Sequence, residues 1–90
     1  MEDGMSEYVV YSKSGCGWCD RLKELLASRN VAYTEVRVDA NLDNLEEFKR
    51  VAPGVKTVPQ LFVNGQRIGG FTESQMYFSD VYGAAFGDNI

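Results

Sequence analysis

The chain contains no histidine. That removes the commonest general base and the commonest zinc ligand, so any chemistry must run on thiolate, carboxylate or backbone dipoles. Cysteine is nearly as scarce, with two in 90 residues, Cys16 and Cys19. A disulfide-dense scaffold is therefore excluded, and a bridge between these two would close a loop too short to brace much. No apolar run approaches the roughly 18 residues that cross a bilayer, and the acidic start MEDGMSE is unlike a secretory signal. A cytoplasmic protein with no membrane partner is expected. Positive charge is in deficit, nine Lys and Arg against 13 Asp and Glu for a net charge of -4, which argues against a nucleic-acid surface. Internal repeats and low-complexity tracts are also lacking.

What is present suits one small domain. The apolar fraction of 44% with 24% charged residues is ordinary for a globular chain, and 90 residues are too few for two cores. Residues 1–6 are expected to be a loose terminus and 7–90 a single domain.

Tyr8 to Tyr11 form a short β-branched and aromatic run closed by SKSG, which suits a buried strand and a turn. From Trp18 to about Arg29 the period changes, with Leu22, Leu25 and Leu26 on one helical face and Arg21, Lys23 and Glu24 elsewhere. YTEVRV, Tyr33 to Val38, alternates as a strand with one wet face does. Leu42, Leu45, Phe48 and Val51 or Ala52 then recur at helical spacing until Pro53 and Gly54. QLFV, Asn64-Gly65 and QRIG predict a hairpin with a two-residue type I′ turn. Thr72 and Gln75 fit a capping box, and Met76, Tyr77, Val81 and Ala84 or Ala85 mark one face of a closing helix. The order βαβαββα implies a thioredoxin-like α/β domain, a four-stranded mixed sheet flanked by helices.

Three chemistries compete for the cysteine pair. A structural bridge gains little, and a zinc site needs four ligands where one chain offers two thiols and no imidazole. Redox catalysis fits the position. If the first strand ends near Ser12 and the helix starts just after Cys16, that sulfur meets unpaired N–H groups and the positive helix end, which favour a thiolate. Lys13, and Arg21 as a further contributor, act in the same direction. Cys19, one turn inside the helix, is the more buried, resolving thiol.

With the pair placed, the surrounding blocks KSGCGWC, TVPQLFVNG (Thr57 to Gly65) and IGGF (Ile68 to Phe71) with Thr72 and Glu73 resemble the glutaredoxin family, from about Tyr8 to Val81. The resemblance implies a glutathione-dependent thiol–disulfide oxidoreductase that reduces glutathionylated mixed disulfides and protein disulfides, such as that of a ribonucleotide reductase. It implies that Cys16 is the nucleophile and Cys19 its partner, and that Pro59 is cis. Val58, flanked by Thr57, presents its backbone to the cysteinyl part of glutathione. Lys13 and Lys56 match positions that receive a glutathione carboxylate, and Gly69, Gly70, Phe71, Thr72 and Glu73 match the γ-glutamyl end. Trp18 reads as a half-exposed docking surface beside them. A monomer is expected. Gly17 and Trp18 stand where members commonly carry proline and tyrosine, and Glu73 where aspartate is frequent. Related proteins lacking that proline sometimes hold a glutathione-ligated [2Fe-2S] cluster between two chains, which leaves a cluster-binding dimer, with Cys16 as ligand, as one alternative. A thioredoxin-type reductant recycled by a flavoprotein reductase is the other.

Overall fold

The computed structural model describes residues 6–79. They form β1 (Tyr8–Ser12), α1 (Gly17–Ser28), β2 (Thr34–Arg37), α2 (Leu42–Val51), β3 (Gln60–Val63), β4 (Gln66–Gly69) and α3 (Phe71–Phe78), the order expected from the residues. The sheet runs β2-β1-β3-β4, with β1 parallel to β2 and antiparallel to β3, and β3 antiparallel to β4. Of the expected loose terminus, residues 1–5 lie outside the described residues.

The central strands β1 and β3 are apolar on both faces because both faces are covered. Their period of two sends Tyr8, Val10, Leu61 and Val63 to one side, against Leu22 and Leu26 of α1 and Phe78 of α3. Tyr11 and Phe62 go to the other side, against Phe48 and Ala52. Tyr11 also donates its hydroxyl to Glu47 Oε2 at 2.6 Å, which ties α2 to the sheet. Burial, then that bond to Glu47, pushes the phenol pKa up, so Tyr11 remains a neutral donor. The hairpin turn is as expected, with Asn64 and Gly65 at φ 53° and 83°. Asn64 extends the pairing outward, its N–H reaching Glu7 O at 2.8 Å while its Oδ1 accepts from Glu7 N–H at 2.8 Å.

Two helical faces differ from expectation. In α2, Phe48 and Ala52 are buried, but Leu42 is 67% and Val51 40% exposed. A strict three-residue step falls short of a full turn by about 60° each time, so Leu42 and Val51 drift to opposite margins of the face that Phe48 centres. In α3, Gly70 is the N-cap and Glu73 reaches back to accept its N–H at 3.0 Å, in place of a Thr72–Gln75 box. The inward positions are consequently Ser74 and Phe78, both fully buried, while Met76 is 61% exposed. Tyr77 packs at the margin of the core. Ser74 is a small polar residue that carries no hydrophobic signal, and without it the face is phased wrongly. Val81, Ala84 and Ala85 lie outside the described residues.

Candidate functional site

The site forms where β1 gives way to α1. Gly15, at φ 68°, turns the chain, and Cys16 stays extended as the N-cap of α1. Its Sγ occupies the place of a capping oxygen, 3.1 Å from the backbone N of Cys19. An anion there meets an N–H donor and the positive end of a 12-residue helix, the two influences that lower a thiol pKa. Cys19 is 1% exposed and Cys16 half-buried, so the pair is asymmetric in access as the sequence implies. The two are joined as a disulfide with Cα atoms 5.2 Å apart.

Opposite Cys16 lies the loop before β3. The Val58–Pro59 bond is cis, as the resemblance implied, and the Val58 carbonyl oxygen is 3.9 Å from Cys16 Sγ. Thr57, Val58 and Pro59 form one wall of a cleft of about 240 Å³; Gly70, Phe71, Thr72 and Glu73 form another, and Trp18 closes the end. Trp18 is 56% exposed, with its ring centroid 5.5 Å from that of Phe71 and the Arg21 guanidinium carbon 4.8 Å above it. The Arg21 cation–π contact was not legible in the sequence, although a three-residue helical spacing permits it. Gly69 approaches the helix start most closely. At φ 133°, a Cβ there would lie 2.7 Å from Glu73 Cβ, so only glycine fits without displacing the carboxylate that caps α3.

Lys13 and Lys56 are not in this cleft. They line an adjoining groove that shares only Thr57 and Val58 with it. The expected residues therefore fall into two neighbouring depressions that meet beside Cys16.

Beneath α1 the structure adds a polar cluster unseen in the sequence. Fully buried Ser12 donates its hydroxyl to Glu35 at 2.5 Å, and Lys23 reaches the same carboxylate at 2.9 Å. The Ser12 bond, then Lys23, holds Glu35 below the usual carboxylate range, and the Glu35 bond raises Lys23. The turn ahead of Cys16 is strapped too. Asp39 accepts from Ser14 N–H at 3.1 Å, which with the Ser14 side chain lowers the Asp39 pKa, and Arg37 bonds both Ser14 Oγ and Asp39.

A lowered folded-state pKa means that Glu35 stabilises the fold fully above its ordinary value of 4.5 and ceases to do so as pH falls through the lowered one. Melting temperature followed from neutrality to about pH 3 should show a descending acid limb, shallower in Glu35→Gln, with Asp39 sustaining the remainder. An identical limb in the variant would place the acid sensitivity elsewhere.

No three or more Cys, Asp and Glu side chains converge among the described residues. With Cys19 buried, a [2Fe-2S] cluster would have to draw every ligand but Cys16 from outside this chain. Among the described residues, no helix is long and apolar enough to cross a membrane.

The comparisons agree with this geometry. The family model described as Glutaredoxin matches residues 8–68. Glutaredoxin 3 of Escherichia coli (strain K12) is 39% identical over 66 residues, spanning 73% of this chain and 78% of its own. Glutaredoxin 1 from Francisella tularensis, solved with cacodylate, superposes with a TM-score of 0.70 at 26% identity over 87% of this chain and 98% of its own. A buckwheat glutaredoxin–glutathione complex gives a TM-score of 0.71 at 28% identity over 88% of this chain and 74% of its own. With a CxxC pair at the first helix start, a cis-proline loop facing it and a thioredoxin-like sheet beneath, the chain belongs to the glutaredoxin family of thiol–disulfide oxidoreductases.

Proposed function

We propose that the chain is a glutathione-dependent disulfide reductase whose cleft holds the tripeptide against Thr57–Pro59. The observation that carries this reading is the placement of Cys16 Sγ, at a helix N-cap and 3.9 Å from the carbonyl oxygen of Val58, a residue that lines the cleft running to the start of α3. The loop presents backbone that an extended peptide running antiparallel to it can pair with. The peptide's cysteinyl part then lies at Val58, and its γ-glutamyl end reaches Gly70, Phe71, Thr72 and Glu73, where the exposed N–H groups of a helix start favour a carboxylate. Its other end runs toward Lys13 and Lys56, whose charges suit the second carboxylate. The buckwheat relative's complex with glutathione supports the same ligand.

In the reaction, Cys16 thiolate attacks the glutathione sulfur of a mixed disulfide; the new S–S bond forms as the old one breaks, and the substrate leaves as a thiolate that takes a proton from water. The Cys16–glutathione intermediate is then split by a second glutathione, giving oxidised glutathione and the Cys16 thiolate. Alternatively Cys19 displaces glutathione and leaves the Cys16–Cys19 disulfide, which two glutathiones reduce. With a protein disulfide, such as that of a ribonucleotide reductase, Cys16 bonds to one protein sulfur and expels the other as a thiol, and Cys19 then bonds to Cys16 and releases the first sulfur as a second thiol.

The test compares reductants. Turnover of a glutathionylated thiol should proceed with glutathione, glutathione reductase and NADPH, and should be far slower when thioredoxin reductase replaces the glutathione system. Faster recycling by thioredoxin reductase would overturn the reading.

A further inference from the structure

The adjoining groove is larger than the cleft just described, about 650 Å³ against about 240 Å³. That floor is apolar, built from Leu45, Phe48 and Val55, and its rim carries Lys13, Lys49 and Lys56. Among the described residues no acidic side chain lines it, although the chain as a whole has a net charge of -4. On α2, the Glu47 carboxylate is held by the Tyr11 hydroxyl.

Direction follows from the loop. The chain runs from the groove, at Ala52 to Lys56, through the shared residues Thr57 and Val58, to the cleft at Pro59. A peptide antiparallel to this loop, with its reactive cysteine at Val58, has its upstream residues in the cleft and its downstream residues in the groove. Glutathione stops one residue past its cysteine. A protein substrate does not stop there.

We infer that the groove is a specificity site for protein disulfides, taking the residues that follow the substrate's reactive cysteine when these comprise a large apolar side chain and then a carboxylate. This rests on the glutathione reading above, because it uses the same antiparallel alignment at Val58. The apolar side chain covers Leu45, Phe48 and Val55, and the carboxylate meets Lys49, which has no part in the tripeptide site proposed above. The chemistry is ordinary exchange. Cys16 thiolate bonds to the bound peptide's sulfur and expels its disulfide partner as a thiol; Cys19 then bonds to Cys16 and releases the bound peptide as a second thiol. Two protein thiols are oxidised as one peptide disulfide is reduced, and glutathione restores them.

The test uses the symmetrical disulfides of four capped peptides, Gly-Cys-Gly-Phe-Glu, Gly-Cys-Gly-Ser-Glu, Gly-Cys-Gly-Phe-Lys and the reversed order Glu-Phe-Gly-Cys-Gly. Reduced wild-type protein should attack the first with kcat/KM about tenfold above the serine and reversed peptides, the scale set by burying one aromatic side chain. Lys49→Glu should lower the rate on the first by about fivefold and invert the preference between the Glu and Lys peptides. Lys49 is exposed, so the variant should fold, and its glutathione-coupled turnover of a small mixed disulfide should match wild type. Equal rates for all four peptides, with the mixed disulfide still turned over, would overturn the groove alone. Failure to turn over the mixed disulfide would overturn the glutathione reading and the groove with it.

Discussion

Cys16→Ser should bring every disulfide-reducing activity below detection, a loss on the order of 10⁵-fold or more, because the other thiol of the pair, Cys19, is 1% exposed and out of a substrate's reach. Cys19→Ser should behave differently. It should retain glutathione-coupled turnover of mixed disulfides while losing reduction of protein disulfides, since only the latter requires Cys19. The division follows from position. Cys16 stands at the helix start with an N–H donor 3.1 Å away, whereas Cys19 is 1% exposed and reaches only a sulfur already bound to Cys16. Rates of iodoacetamide alkylation provide the direct check, because the thiolate is the reacting species. In the reduced protein Cys16 should be modified well below the pH at which an ordinary thiol reacts. Loss of both activities in Cys19→Ser, or ordinary alkylation at Cys16, would refute the assignment.

Phe78→Ala carries the largest expected effect on stability. Phe78 is fully buried at the end of α3, in the same cluster as Leu22 and Leu26 of α1, with its ring 6.2 Å from that of Tyr8. Truncating a phenylalanine so placed costs about 3–5 kcal/mol, much of the 5–15 kcal/mol typical of a domain. Urea unfolding should therefore show a markedly lower midpoint. The functional consequence is separable. Because α3 begins at Gly70 and Glu73, loosening its far end should raise KM for glutathione more than it changes alkylation of Cys16, which is fixed by α1. An unfolding free energy within about 0.5 kcal/mol of wild type, the spread seen for surface changes, would show that α3 is held by other contacts.

The element order was legible because its signals are local. Asn64-Gly65 can hardly be anything but a tight hairpin turn, and the change from two-residue to helical period at Trp18 places the cysteines at a helix start without any knowledge of the fold. Phasing was less legible. Leu42, Val51 and Met76 have the right residue type for a core and the wrong angle, and the angle depends on where the helix begins. For α3 that is Gly70, which carries no capping side chain to announce it. The Ser12–Glu35–Lys23 cluster was invisible for another reason. Its members are 12 and 23 residues apart from Glu35 in sequence and meet only once β2 lies parallel to β1. The cis state of Pro59 came from the family resemblance alone. The cleft residues from Thr57 to Glu73 do meet, yet the separation of Lys13 and Lys56 into their own groove could be read only from coordinates.

Both borders of the sheet are short, β2 and β4 each having four residues, and their outer positions carry Thr34, Arg37, Gln66 and Arg67 in the open. Brief, charged margins are poor templates for adding a strand from another molecule. For a protein proposed to pair extended peptides with its Thr57–Pro59 loop, this matters. Under that proposal pairing is confined to the loop beside the reactive sulfur, and the sheet's borders discourage the self-adhesion through which strand pairing would otherwise spread into aggregates.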